Sequence, residues 1–358
     1  MKKLFVLIAA VAFVAAFAAP SFGAEWSFYG HARMTTFWVD QDFGDYVGPS
    51  GADDDFDLIH DLQGNTRIGA KVKVSDNLTG QFEYGITTSA VNSRLIYGVY
   101  DFGGFKLKVG QDYIPTNFFI SNQVCPVLGG GDDNLLPYGG FYFGRRPEVA
   151  GIFGGLEVAL VRAEAPAVLG YPGVDTDVTL PMLAAKYSFK VAGLSLQVAG
   201  GYQTYKVVDA NDDDEDVNSY VGGIAATYNM GPFMLGGNYW MGRNVGNMWK
   251  WDAGYADAVY DPVDEDMLDN DGWGFIIVGA FTASDMLRFE AGYGFSSFDI
   301  DEAPTEDETS SMYLQAKITF AKGVFIVPEV GVIDLKDDPG EGDQGDITYY
   351  GLQWQIRF

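Results

Sequence analysis

Nine basic side chains stand out along the first part of the chain: Arg33, Arg67, Lys71, Lys73, Arg94, Lys106, Lys108, Arg145 and Arg146. Around Asn65 to Val74 they interleave with apolar residues, Ile68, Ala70, Val72 and Val74 alternating with Arg67, Gly69, Lys71 and Lys73. That period of two puts one set on each face of a strand, whereas helical spacing would mix them. Cations on one wall attract, orient and screen charged solutes, and by themselves they make or break no bonds.

The residue types that usually carry catalysis are sparse. His31 and His60 are the two histidines, and Cys125 is the one cysteine, so there is no intramolecular disulfide and no cysteine-rich metal spacing. His31 reads as a lumen-facing polar residue, and Cys125, beside Pro126, as a buried inert thiol. No Ser/His/acid set, phosphate-binding loop or haem motif stands out, so the chain reads as a non-enzyme without a cofactor. Acidic runs occur at Asp53 to Asp55, Asp212 to Asp216, Asp264 to Asp266 and Glu306 to Glu308. Such carboxylates suit divalent ions that could bridge to lipopolysaccharide phosphates. Asp212 to Asp216 lacks the glycine turn and closing glutamate of a calcium loop, so the runs read first as a solvated acidic rim, with no metal site named.

The alternation extends along the chain. It predicts about sixteen strands, at Trp26–Val39, Asn65–Val74, Leu78–Thr88, Ser93–Tyr100, Phe105–Gln111, Arg146–Phe153, Leu156–Ala163 and Met182–Phe189, then Leu194–Val207, Asn218–Tyr228, Phe233–Met241, Trp273–Phe281, Met286–Phe295, Met312–Phe320, Val324–Ile333 and Ile347–Phe358. Short turns such as Ser75-Asp76-Asn77 and Ala321-Lys322-Gly323 alternate with long polar loops, among them Asp40 to Gly64, Asp112 to Arg145, Gly242 to Gly272 and Asp334 to Asp346. Short turns on one side and long loops on the other describe an all-β, transmembrane antiparallel barrel with a periplasmic and an outer end.

Composition agrees. Hydrophobic residues make up 47% and aromatics 15%, with 46 glycines, yet mean hydropathy is 0.00. A membrane barrel spreads apolar residues over every second position and so keeps a neutral average. Trp26, Trp38, Tyr228, Tyr239, Trp273, Phe281, Phe320 and Trp354 lie near strand ends, as aromatic girdles require. Lys2 and Lys3, the apolar run Leu4 to Ala19 and the small residues Ser21 and Gly23 read as an export signal over 1–23, with cleavage after Gly23 or Ala24, leaving one barrel domain over 24–358. Loss of the two lysines takes the formal charge from −27 to −29, which excludes nucleic acid as a natural partner.

These features together resemble the general trimeric porins of Gram-negative outer membranes. Asn65-Thr66-Arg67-Ile68-Gly69 followed by Asp76-Asn77-Leu78-Thr79-Gly80 is similar to that family's second strand, turn and third strand, and Gly103 to Gln111 to its fifth strand. The ending Tyr349 to Phe358 is similar to the terminal strand read by the outer-membrane assembly machinery, with Phe358 as the signal. The resemblance implies a homotrimer embedded in lipid and lipopolysaccharide, and a third long loop, Asp112 to Arg145, folded into the lumen. Pro137-Tyr138-Gly139-Gly140 carries tyrosine where the family often has an acid, and Asp132 and Asp133 just upstream would supply the charge facing the basic wall.

A lipid-facing Lys or Arg costs about 2 to 4 kcal/mol at the midplane, so the basic set is expected to face the lumen. Sixteen strands enclose more space than side chains fill. The expectation is a water-filled channel for passive diffusion of ions and small hydrophilic solutes. Two other readings are a substrate-specific channel that captures anions on the basic ladder, and a non-conducting structural or adhesive barrel. Selectivity is left open by acidic loops and basic strands, with a lean to cations because acids outnumber bases.

Overall fold

The computed structural model describes residues 23–42, 55–128, 130–338 and 342–358. The segment expected to be an export signal, apart from Gly23, and Asp53 and Asp54 of the first acidic run lie outside the described residues. Among the described residues no helix is long and apolar enough to cross a membrane.

The alternating segments form a closed antiparallel barrel of 16 strands. In chain order these are β1 (Glu25–Asp42), β2 in two segments (Asp55–Leu62 and Arg67–Lys73), β3 (Leu78–Ile86), β4 (Val91–Asp101), β5 (Lys106–Tyr113), β6 (Arg145–Phe153), β7 (Leu156–Val161) and β8 (Met182–Val191). The second half comprises β9 (Leu194–Asp209), β10 (Asp214–Met230), β11 (Phe233–Arg243), β12 (Asn270–Ser284), β13 (Leu287–Ile300), β14 (Asp307–Ala321), β15 (Val324–Asp334) and β16 (Asp346–Arg357).

Lipid offers no hydrogen-bond partners, so each strand edge must be paired all round. β1 closes the circle, with Trp38 opposite both Leu58 of β2 and Tyr350 of β16. The chain end completes the seam: Gly30 N donates to Phe358 O at 2.7 Å and Phe358 N donates to Gly30 O at 3.0 Å. The Phe358 ring lies over Gly30, where a Cβ would come within 2.5 Å of it, so a larger residue there would push the terminal ring aside.

Two loop expectations change. Part of the segment Asp40 to Gly64 is strand, because Phe56 and Leu58 point outward between inward Asp57 and Ile59, matching the faces of β1. The acidic run Asp212 to Asp216 is a tight hairpin rather than an open loop. The Asp209 carboxylate accepts the backbone N–H groups of Asn211 and Asp213 at 2.7 and 2.9 Å, so one acid builds the turn.

Outward positions are apolar, as Phe28, Ile68, Val109, Val198, Leu235 and Trp354 illustrate. The inner face is not uniformly polar, which corrects the simple alternation. From β6 to β12 it carries small or apolar residues, including Ala150, Ala159, Ala184, Ala199, Val221 and Ala225, all buried. They are dry because the third long loop lies against them. Phe118, Phe141 and Phe143 of that loop join the same core, and each contributes about 1.5 to 3 kcal/mol by leaving water. Gly201 and Gly223 leave room for it: an added Cβ at Gly223 would sit 2.9 Å from the Phe141 ring, and one at Gly201 would sit 3.2 Å from Thr116 of the loop.

Candidate functional site

The third loop leaves β5, crosses the lumen and returns at β6, held by hydrogen bonds to the late strands. Asn122 N donates to Glu290 at 2.8 Å, Val124 N to Glu329 at 2.9 Å, and Ser121 Oγ to the Tyr313 hydroxyl at 2.8 Å. Gln123 Nε2 donates to the hydroxyls of Ser311 and Tyr349 at 3.1 and 2.9 Å. The Pro137-Tyr138-Gly139-Gly140 turn is seated on β11 to β13. Asn238 Nδ2 and Trp240 Nε1 donate to Gly139 O at 3.0 and 3.1 Å, and Gly139 has φ +83°. A Cβ at Gly139 would fall 2.2 Å from Phe295 O and 2.3 Å from Phe275 O, so glycine is obligatory.

The loop shuts off one side of the barrel and leaves a cavity of about 740 Å³ along the other. The lining includes seven cationic side chains, Arg33, Arg67, Arg94, Arg145, Arg288, Lys317 and Arg357, against two carboxylates, Asp132 and Glu290. Phe119, Tyr142 and Trp251 line it as well.

The basic residues singled out from sequence divide into three groups. Arg33, Arg67, Arg94 and Arg145 line the cavity. Arg67 and Arg94 share Glu83 at 3.2 and 2.7 Å, and Arg94 also donates to Asn65 Oδ1 at 2.9 Å and to the Tyr113 hydroxyl at 3.1 Å. Arg145 stacks on Tyr113 with Cζ 5.3 Å from the ring centre. Lys71, Lys73 and Lys106 are exposed around a separate recess near the short-turn end, where Lys73 pairs with Asp76 at 2.8 Å and Lys106 with Asp101 at 3.5 Å. Lys108 and Arg146 are buried elsewhere. Lys108 is caged by Glu148, Glu157 and Asp112 at 2.7, 2.7 and 3.0 Å, and Arg146 donates to the carbonyls of Met248, Phe143 and Arg162 behind the third loop. Pairing with inward acids therefore accounts for part of the ladder.

The two loop acids also part company. Asp132 lies on the cavity wall in an ion pair with Arg33, and it accepts from Gln63 at 2.7 Å, Asn65 at 3.3 Å and Gln353 at 2.5 Å. Asp133 is fully buried behind the loop, where Leu128 N donates to one of its carboxyl oxygens at 3.4 Å. Burial pushes its carboxyl well above the ordinary range, with the charge of Glu329 acting the same way. Cys125 beside it is fully buried, and its thiol is pushed up by burial and then by Asp133. At the outer rim Asp261, Asp264 and Glu302 offer oxygens within 4.8 Å of one another, an exposed acidic cluster.

Arg288, Lys317 and Arg357 are the residues that sequence reasoning missed. The signal was present in the parity of Arg288 with Glu290, Lys317 with Gln315 and Arg357 with Gln355, all inward positions of late strands. Strand pairing then aligns them: Arg288 lies opposite Lys317, Arg357 opposite His31, and His31 opposite Arg67.

The barrel is similar in fold to the outer-membrane channel DcaP of Acinetobacter baumannii, with a TM-score of 0.70 at 20% identity over 94% of this chain and 98% of that one. It is also similar to an anion-selective porin from Comamonas acidovorans (TM-score 0.60, 12% identity, 94% and 100% covered) and to the trimer form of OmpT of Vibrio cholerae (TM-score 0.60, 14% identity, 94% and 99% covered). No family model matches the chain, and no curated protein sequence matches it.

Proposed function

We propose that this protein is a passive, water-filled channel of the outer membrane that carries ions and small hydrophilic solutes and favours anions in its narrowed lumen. The observation that carries the reading is the excess of seven cationic side chains over two carboxylates around the cavity. The lean to cations drawn from total charge gives way because only Asp132 and Glu290 of those acids line the cavity. Fixed charge acts most strongly where the path is narrow and its walls have a low dielectric constant. The fold it shares with known outer-membrane channels supports the setting.

A homotrimer belongs to the same proposal. On the outer face of β16, β1 and β2, Thr36 Oγ1 lies 3.0 Å from His60 Nδ1, and Trp354 Nε1 donates to it at 3.3 Å. Polar groups facing hydrocarbon are costly, so this patch fits a subunit contact better than lipid. Lipid and lipopolysaccharide would surround the remaining wall, and Phe358 would serve as the assembly signal.

Planar bilayer recordings in a KCl gradient test the function. The expected reversal potential has the sign of chloride preference, and it moves toward zero when Arg67 and Arg94 are replaced by glutamine. A reversal potential of potassium sign overturns the reading, and absence of conductance returns the barrel to a structural or adhesive role.

A further inference from the structure

On the late strands, Lys317 and Arg357 both lie against one ring, with Lys317 Nζ 4.2 Å and Arg357 Cζ 4.7 Å from the centre of Phe325. Arg288 stands beside Lys317 as its strand partner. Among the described residues neither Lys317 nor Arg357 has a carboxylate within ion-pair distance. Arg288 reaches one oxygen of Glu290 at 3.3 Å. That carboxylate is already engaged with the third loop and the wall, accepting from Asn122 N and Nδ2, from the Tyr313 hydroxyl and from Gln315. Arg357 directs Nε and Nη2 to Gln355 Oε1 at 3.2 and 3.1 Å. All three side chains line the cavity.

Like charges gathered on a half-buried wall repel one another, and a ring face compensates a cation less than a carboxylate does. Elsewhere in this lumen Glu83 serves Arg67 and Arg94, Asp132 serves Arg33, and three carboxylates surround Lys108, while Arg145, among the described residues, stacks on Tyr113 without a second cation over the same ring. The late-strand group lacks that compensation, which a mobile anion can supply.

We infer that Arg288, Lys317 and Arg357, arrayed around Phe325, form a discrete docking subsite for a small multivalent oxyanion near the short-turn end of the cavity. A guanidinium presents parallel N–H donors matched to two oxygens of one anion, and a neighbouring ammonium adds a point charge, so a tetrahedral dianion is held better than a spherical halide. This inference rests on the channel reading and deepens it, giving the pore a saturable station where a bare field would only enrich anions.

The test titrates inorganic phosphate into chloride-based bilayer recordings of the full-length protein. Chloride current is expected to fall along a saturating curve, at lower phosphate on one side of the membrane than on the other, because the group lies nearer one end. In the K317Q/R357Q double variant the half-blocking concentration is expected to rise at least about tenfold, the equivalent of about 1.4 kcal/mol. The K71Q variant, altered at the separate recess, is expected to keep the wild-type curve. A change strictly linear in phosphate for the wild type overturns the subsite, as does an unchanged half-blocking concentration in the double variant. If the wild type retains chloride preference without saturation, the subsite alone fails, whereas a potassium preference removes the channel reading beneath it. Should the double variant fail to assemble, K317Q alone gives the same comparison with a smaller shift.

Discussion

The inner wall has two halves that follow different rules. From β6 to β12 it carries small and apolar side chains, among them Ala150, Ala184, Ala199 and Val221, that share a core with the phenylalanines of the third loop, while its charged residues Arg146, Glu148 and Glu157 are held in protein contacts. From β13 through β16 and β1 to β5 the wall carries cations and lines the cavity. Both halves have the same strand geometry and the same lipid-facing exterior, so strand architecture alone does not make a pore. The loop decides which half stays wet, and its place is set by the small residues beneath it together with its hydrogen bonds to Glu290, Tyr313, Glu329 and Tyr349 of β13 to β16.

The strongest way to break this division is to unseat the loop. Gly139→Val adds a side chain where φ is +83° and two carbonyl oxygens lie within 2.3 Å of the new Cβ, at a cost of roughly 4 kcal/mol. Single-channel conductance is expected to rise as the loop lifts away, and a barrel that keeps wild-type conductance and melting temperature would show that the turn is not the anchor.

Next in size is the wet half's own balance. Glu83→Gln leaves Arg67 and Arg94 without their shared acid, which costs about 3 kcal/mol of stability. It should also move the reversal potential further toward chloride. A stable variant with unaltered selectivity would mean that these cations are balanced from elsewhere.

A smaller effect concerns the dry side of the loop. Buried Asp133 keeps its proton in the folded state at pH values where the unfolded chain has released it. The folded state therefore binds more protons, and stability falls as pH rises from the ordinary carboxyl value of 3.8 toward the raised one. Melting temperature followed by fluorescence is expected to decline across that range, and Asp133→Asn should flatten the slope. Asp132, Glu329 and Cys125 are the groups that face it, and a slope unchanged in Asp133→Asn would contradict the assignment to Asp133. The smallest effect is at the rim: Lys206→Gln loses an exposed pair with Asp214 and should leave stability and conductance unaltered, which a measured shift in either would contradict.

Much of the barrel was legible because a two-residue period survives in each strand, as in β1, where Tyr29, His31, Arg33 and Thr35 share the inward face. The dry half was less legible. Ala150, Ala184 and Ala199 obey the same parity, but only contact with Phe118 and Phe141 tells whether an inward alanine meets water or a loop. The cavity was partly legible. Arg67 and Arg94 follow from parity, while Lys108 and Arg146 share that parity and are buried in protein contacts. Arg288, Lys317 and Arg357 look isolated along the chain, and become neighbours around Phe325 only when β13 to β16 pair, Arg357 meeting His31 when β16 closes on β1.

The division between covered and open wall is tested most directly by thiol accessibility during current recording in a Cys125→Ser background. Asn92→Cys places a thiol on the cavity lining, and Ala199→Cys places one on the covered half. The account predicts that a small anionic, water-soluble thiol reagent lowers the current of the first and leaves the second unaltered. Equal reaction at both positions, or reaction at position 199 alone, would contradict it.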